Sequence, residues 1–269
     1  MSAARLYLKK MIKSNIWEAG DFAKIAPRAQ IVGEILCEAI PVYAGDRVID
    51  IGCGTGNTAF AAARRMAQVS AVDPVPDLLQ KAKERASFEG LEIDFREGGA
   101  ESIAFDDASF DVALSTFGMI FSEDPAASVR EAARVLRPGG RLGLTSWSTS
   151  SLNFRLFEIC AKARPGLRSI EVACQWGAES QALAWLAKSF GSIRIEKRNF
   201  YPRALSTEQW LAGMKQFLAP VFLAYDGASV ELRSELDSQL LALGHEYNIA
   251  PEHGFYARIE YLEIHCRKA

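Results

Sequence analysis

Ten residues constrain this chain more than any others: Val48-Ile49-Asp50-Ile51-Gly52-Cys53-Gly54-Thr55-Gly56-Asn57. An apolar run of strand character meets three alternate glycines, with a carboxylate two residues before the first. Glycine tolerates positive φ and lets backbone approach a ligand closely, so the pattern predicts a strand turning into a helix beside a nucleotide-like molecule. The helix is expected over 58–67, and its alanines at 59 and 61–63 suit close packing on a sheet.

The spacing separates two ligand classes. A dinucleotide site takes G-x-G-x-x-G and seats a pyrophosphate on the helix N-terminus. Here the spacing is G-x-G-x-G and Asn57 follows. Asp50 would repel a pyrophosphate, whereas it holds a cationic amino group through a charge-assisted hydrogen bond or a water. The expected ligand is therefore a nucleoside carrying an amino acid, with an NAD-dependent dehydrogenase as a distant alternative.

On these residues the chain resembles the class I S-adenosylmethionine-dependent methyltransferases, whose first motif reads like Asp50 to Gly56. A second apolar strand ends in Asp73, 23 residues after Asp50, followed by Pro74. An acid at about that distance binds ribose hydroxyls. Family members often read Gly-Asp-Ala-Glu where this chain has Gly98-Gly99-Ala100-Glu101, so Gly99 stands in place of the adenine-binding aspartate. The backbone of Ala100 and the side chain of Glu101 remain beside that position. The run Arg137-Pro138-Gly139-Gly140-Arg141 resembles the turn into the family's fifth strand.

The resemblance implies an α/β fold: a doubly wound, seven-stranded, mostly parallel sheet (Rossmann-like), with a helical lid and the final strand antiparallel between the fifth and sixth. Its expected organisation is an N-terminal helical cover (1–40), a cofactor-binding core (41–148), a helix and late core strand (149–200), a lid insertion (201–253) and the final strand (254–269). A helix is expected around Ile12 to Ile25, and the last strands over 193–198 and 255–262. Within the lid, Ser206 and Gln209 suggest a capping box, with Leu211, Met214 and Leu218 on one face and Leu232, Leu236 and Leu240 on the next helix. Lid packing is the preferred role for those stripes.

The cofactor implied is S-adenosyl-L-methionine, with Trp17, Asp50, Gly52, Cys53, Gly54, Thr55, Gly56, Asp73, Pro74, Gly99, Ala100, Glu101, Ser115, Thr116 and Phe117 as its expected contacts. Ligands of open parallel sheets bind beyond the carboxyl ends of the strands. Phe22, Met119, Trp147, Phe217 and Tyr225 are accordingly expected around the acceptor. A phenolic acceptor needs a base; among three histidines His253 is the first candidate and His245 the second, while His265 is read as structural or exposed. Asp106, Asp107 and Asp111 precede a strand and are assigned no catalytic role.

A formal charge of -2 gives no basic footprint for nucleic acid, and the turn Ser115-Thr116-Phe117-Gly118 lacks the Asn/Asp-Pro-Pro-aromatic signature of nucleobase methyltransferases. Five cysteines without a C-x-x-C pair suggest neither a metal site nor a disulfide framework. No membrane span or signal peptide is evident, so a cytoplasmic setting is expected. The short basic stretch of Arg5, Lys9, Lys10 and Lys13 reads as a solvated face. A homodimer is compatible with these features.

The leading expectation is methyl transfer by direct displacement to a small, partly apolar acceptor, such as a quinone precursor, phenol or other secondary metabolite, as in the ubiquinone and menaquinone type. The main alternative is an enzyme of the same fold that uses the cofactor as a fixed charge in a cyclisation or rearrangement. A partner subunit with a degenerate site is the third reading.

Overall fold

The computed structural model describes residues 15–269. The basic stretch from Arg5 to Lys13 and the beginning of the expected N-terminal helix lie outside them. Seven strands form one sheet: β1 (Arg47–Ile51), β2 (Gln68–Asp73), β3 (Ile93–Glu97), β4 (Phe110–Thr116), β5 (Leu136–Trp147), β6 (Ser192–Phe200) and β9 (Ile259–Arg267). Their spatial order is β3-β2-β1-β4-β5-β9-β6. Pairing is parallel from β3 through β5, and β9 is antiparallel to both neighbours. The chain reverses direction across the sheet at β1, and there the carboxyl ends of β1 and β4 open a crevice.

The central strands are apolar because helices cover both faces. Val48, Ile49, Ile51, Val112, Ala113 and Leu114 are fully buried. One face carries α1 (Gln30–Ala39), α2 (Asn57–Ala63) and α3 (Pro76–Glu89); the alanines of α2 are buried, and the backbone of Thr58 lies 3.1 Å from where a Cβ on Gly33 of α1 would sit. The other face carries α4 (Pro125–Val135), α5 (Leu152–Ala163), α6 (Arg168–Gln175) and α7 (Glu179–Leu186). The Pro138-Gly139-Gly140 turn is a bulge: Phe110 pairs with Leu136, whereas Val112 pairs with Arg141. Gly139, at φ 73°, carries the kink. Asp107 and Asp111 hold Arg134 and Arg137 nearby, a structural use of those turn acids.

Two segments differ from the sequence expectation. The described part of the expected N-terminal helix holds two 3-10 turns, Ile16–Glu18 and Phe22–Lys24, and a third, Ala26–Ala29, follows it. Gly20 interrupts it at φ 70°, with the space for a Cβ only 2.8 Å from the Phe217 carbonyl oxygen, which accepts the Asp21 N–H at 3.2 Å. The final strand starts later than 255. Phe255–Tyr256 (β8) pairs with Arg203–Ala204 (β7) because Asn248 captures this stretch, donating to the Gly254 carbonyl at 2.7 Å and accepting from the Tyr256 N–H at 3.0 Å.

The insertion folds as α8 (Thr207–Phe217), α9 (Ala219–Tyr225) and α10 (Val230–Tyr247). Ser206 caps α8 by accepting the Gln209 N–H, and the Gln209 side chain accepts the Leu205 N–H at 2.7 Å, one residue before the cap. Leu236 and Leu240 are buried and pack into the main core.

Candidate functional site

The glycine turn is built by exclusion of side chains. Gly52, Gly54 and Gly56 have φ of 70°, 55° and 88°. Gly52 also crosses Gly118 after β4 so closely that a Cβ on Gly118 would lie 2.2 Å from the Gly52 carbonyl oxygen. A Cβ on Gly56 would strike the Phe60 ring at 2.7 Å. Behind this turn the carboxylates are held by backbone. Asp50 accepts the Ala59 N–H at 2.9 Å; Asp73 accepts from Gly54 at 2.8 Å and from Val75 at 2.9 Å.

Both acids are nearly inaccessible to solvent, and burial pushes their pKa values up, Asp50 to about 7 and Asp73 to about 6, against the lowering effect of those hydrogen bonds. The second oxygen of Asp50, Oδ1, is buried without a hydrogen-bond partner. An orphaned carboxylate oxygen is costly unless a ligand satisfies it. Its environment suits a cation, which would also hold the carboxyl ionised.

These groups open into one cavity of about 560 Å³. Asp50, Gly52, Cys53, Gly54, Thr55, Asp73 and Pro74 line one end, with Gly99, Ala100 and Glu101 beside them. Thr116 and Phe117 line it after β4, where Phe117 adopts φ 56° and its N–H donates to Thr145 Oγ1 at 3.0 Å. That constrained backbone stacks the Phe117 ring on Trp147, with centroids 3.6 Å apart and planes 9° from parallel. Trp17 and Phe22 reach the cavity from the N-terminal segment, packed edge to face, and Phe22 lies 3.6 Å from the Cβ space of Gly54. Asn57 ties that segment down by donating to the Ala26 carbonyl at 2.8 Å. Met119, buried at its base, also contributes.

Glu101 is firmly placed. One carboxylate oxygen accepts from Ser122 Oγ at 2.5 Å and from the Glu123 N–H at 3.1 Å. The other lies 2.9 Å from where a side chain on Gly99 would begin. The space an aspartate at 99 would enter is therefore taken by the acid two residues on.

Six expected residues stand elsewhere. Gly56 shapes the turn without lining the cavity, and Ser115 is buried, donating to the Ile51 carbonyl at 2.6 Å and accepting the Met119 N–H at 2.8 Å. Phe217 is outside the lining and presents its carbonyl to Asp21. Tyr225 is also outside, because its hydroxyl donates to Asp237 at 2.7 Å beneath Lys215. Both expected histidines stand at the surface. The His253 side chain is 79% exposed beside Glu252, and that of His245 is 57% exposed between Thr207 and Glu208. Neither lines the cavity. His265 is structural, buried between Glu263 and Arg194.

Sequence reasoning missed most of the acceptor end. Phe157, Leu167, Phe200 and Ile259 line it, together with Trp210 and Met214 of α8 and Leu218 just after it, so part of the lid stripe forms cavity wall as well as packing. Arg28, Arg168 and Arg203 line it too. No local motif marks these positions. They come from widely separated segments and reach one cavity only through folding.

The comparisons agree with this geometry. Residues 49–144 match the family model described as a methyltransferase domain. An uncharacterised protein of Mycobacterium tuberculosis (strain ATCC 25618 / H37Rv) is 30% identical over 237 residues, covering 86% of each chain. A ubiquinone biosynthesis O-methyltransferase of Xanthomonas axonopodis pv. citri is 35% identical over 120 residues, 44% of this chain and 50% of that one. Among solved structures, a putative methyltransferase from Bacillus halodurans superposes with TM-score 0.61 at 20% identity, over 88% of this chain and 98% of that one. The [4+2]-cyclase SpnF shares the fold as well, with TM-score 0.54 at 22% identity over 89% and 80% of the two chains. The chain belongs to the S-adenosylmethionine-dependent methyltransferase family. It is an enzyme whose methyl donor is S-adenosylmethionine.

Proposed function

We propose that this enzyme transfers a methyl group by direct displacement to a small, partly apolar acceptor bound against Phe117, Trp147 and the lid. The observation that carries this reading is the continuity of one cavity, with buried carboxylates at its glycine-turn end and aromatic walls at the other. Bound S-adenosylmethionine supplies an electrophilic methyl group on a sulfonium. In the proposed seating Asp50 Oδ1 receives the cationic amino group, Asp73 the ribose hydroxyls, and Glu101 the adenine amino group in place of the acid missing at 99.

The sheet order supports that assignment: β1, β2 and β3 lie side by side, so amino acid, sugar and base fall over successive strand ends. The remaining task of the protein is alignment of acceptor and methyl, worth up to about 7 to 11 kcal/mol in favourable systems. Phe117 and Trp147 provide a rigid floor for it, and Trp17, Phe22 and Phe121 close the opposite wall and exclude water. No histidine lines the cavity, so the acceptor reacts without a histidine base.

Calorimetric titration with S-adenosylmethionine, with NAD as control and Asp73→Ala alongside, tests the cofactor half of this reading. Micromolar binding that the variant loses is expected. Acceptor screening then follows release of S-adenosylhomocysteine. Product formed with bound cofactor but no S-adenosylhomocysteine would replace methyl transfer with a cyclisation or rearrangement.

A further inference from the structure

The cavity carries charge of both signs. Asp50, Asp73, Glu101 and Glu123 are its lining acids, and its lining cations, Arg28, Arg168 and Arg203, stand in the chain near apolar lining residues, Ala29, Leu167 and Phe200 respectively. Many other arginines pair with carboxylates, among them Arg65 with Glu34 and Glu38, Arg134 with Glu131 and Asp107, and Arg141 with Asp46, while Arg85, Arg130, Arg233, Arg258 and Arg267 form no ion pair with a described residue and lie outside the cavity lining. The three at the cavity make no ion pair with any described residue. Arg168 reaches only the carbonyl of Glu123, at 3.4 Å, rather than its carboxylate. Arg203 donates to the Tyr201 carbonyl at 3.0 Å and lies 4.4 Å over the Tyr256 ring, which fixes its stem and leaves its charge uncompensated. Arg28 closes over the lid, 3.9 Å from the Cβ space of Gly213 in α8.

A second feature has the same sign. Helix α6 begins at Arg168 with no side-chain cap from Leu167, and Gly166 to Ser169 all line the cavity. An uncapped helix start presents positive potential and free N–H groups. The first-turn acid, Glu171, is not part of the lining. Three guanidinium groups from separate segments and a helix start thus line one cavity together with its apolar walls, an arrangement that favours an anion in forked, charge-assisted hydrogen bonds.

Resting on the methyltransferase reading, we infer that the acceptor has an apolar body ending in an anionic group, a carboxylate or a phosphate, anchored by Arg28, Arg168 and Arg203 away from the methylated atom. The anchor sets the distance at which the body meets Phe117 and Trp147. All three side chains are exposed, so their replacement leaves the fold intact.

The test uses the full chain. S-adenosylhomocysteine is titrated first, and the saturated protein is then titrated with 2-naphthoate, 2-naphthyl phosphate and the neutral 2-naphthamide. At least one anion is expected to bind tenfold or more tightly than the amide, and the stronger of the two identifies carboxylate or phosphate as the natural terminus. The triple variant R28Q/R168Q/R203Q should erase that preference while its affinity for S-adenosylhomocysteine stays within twofold. An amide that binds as well as both anions, including the case in which none binds, overturns the inference, as does a preference that survives in the triple variant. Failure of S-adenosylhomocysteine itself to bind overturns the cofactor reading, and this inference with it.

Discussion

The two ends of the cavity are built by opposite strategies. The cofactor end is made of backbone: glycines at positive φ, carboxylates pinned by N–H groups and a contact between Gly52 and Gly118 that admits no side chain. The acceptor end is made of side chains brought from the N-terminal turns, α5, α6, β6 and the lid. A backbone-built site tolerates almost no substitution, because glycine at these angles has no substitute. A side-chain-built site can change its ligand by exchanging residues without disturbing the sheet. One fold can therefore keep a single methyl donor while its acceptors diverge.

The contrast is most sharply broken or confirmed at Gly118. Gly118→Ala forces a Cβ against the Gly52 carbonyl and is expected to abolish S-adenosylhomocysteine binding and cost about 3 kcal/mol of stability, the upper range for overpacking. Calorimetry and urea unfolding measure the two effects. Near-normal affinity in this variant would mean that the cofactor end is softer than its backbone suggests.

Asp50 provides the next largest effect. Its pKa is pushed up by burial to about 7, from an ordinary value of 3.8. The native state therefore binds a proton more readily than the unfolded state between those values, and stability without ligand falls as pH rises through the window. A cationic ligand needs the ionised form, so affinity for S-adenosylhomocysteine should rise roughly tenfold per pH unit between pH 5 and 6.5. Asp50→Asn should flatten both profiles, the first followed by unfolding at several pH values and the second by calorimetry. Asp73, raised to about 6, acts in the same direction, so the difference between wild type and variant is the quantity to follow.

Gly99→Asp sharpens the role given to Glu101. The new carboxylate would face the Glu101 oxygen at the same place, and like charges in contact disfavour each other. Binding of S-adenosylhomocysteine should weaken about tenfold, and Glu101→Gln in the same chain should recover part of the loss. Tighter binding by the single variant would show that Glu101 had not taken over the missing contact.

The smallest effects belong to the histidines. His253→Ala and His245→Ala, both on exposed side chains, should leave turnover of an identified acceptor within twofold. A large loss in either would require the lid to rearrange around substrate.

The legibility of the chain follows the same division. Asp50, Gly52, Gly54 and Asp73 could be read in the sequence because they act through local geometry, within a strand, a turn and the following helix. The doubly wound, mostly parallel sheet and the antiparallel final strand followed from resemblance once those motifs were placed. The histidines expected at the acceptor end stand outside the cavity lining. Its chemistry suits a base, but spacing along the chain says nothing about whether a lid residue points inward. Phe217 and Tyr225 are outside the lining as well: Trp210 and Met214 of α8 line the cavity, while Phe217 turns its carbonyl toward Asp21.

By itself the sequence determined the class of fold, the cofactor and the backbone turn that receives it, since alternation of apolar strands, positive-φ glycines and spaced acids are properties of short segments. Only the tertiary structure decided that Glu101 fills the space left by Gly99, that the histidines stand outside the cavity, and that Arg28, Arg168 and Arg203 line the same cavity. These facts bring to one cavity residues up to 175 positions apart in the chain, from Arg28 to Arg203, and no local pattern of charge or hydropathy encodes which segments come together.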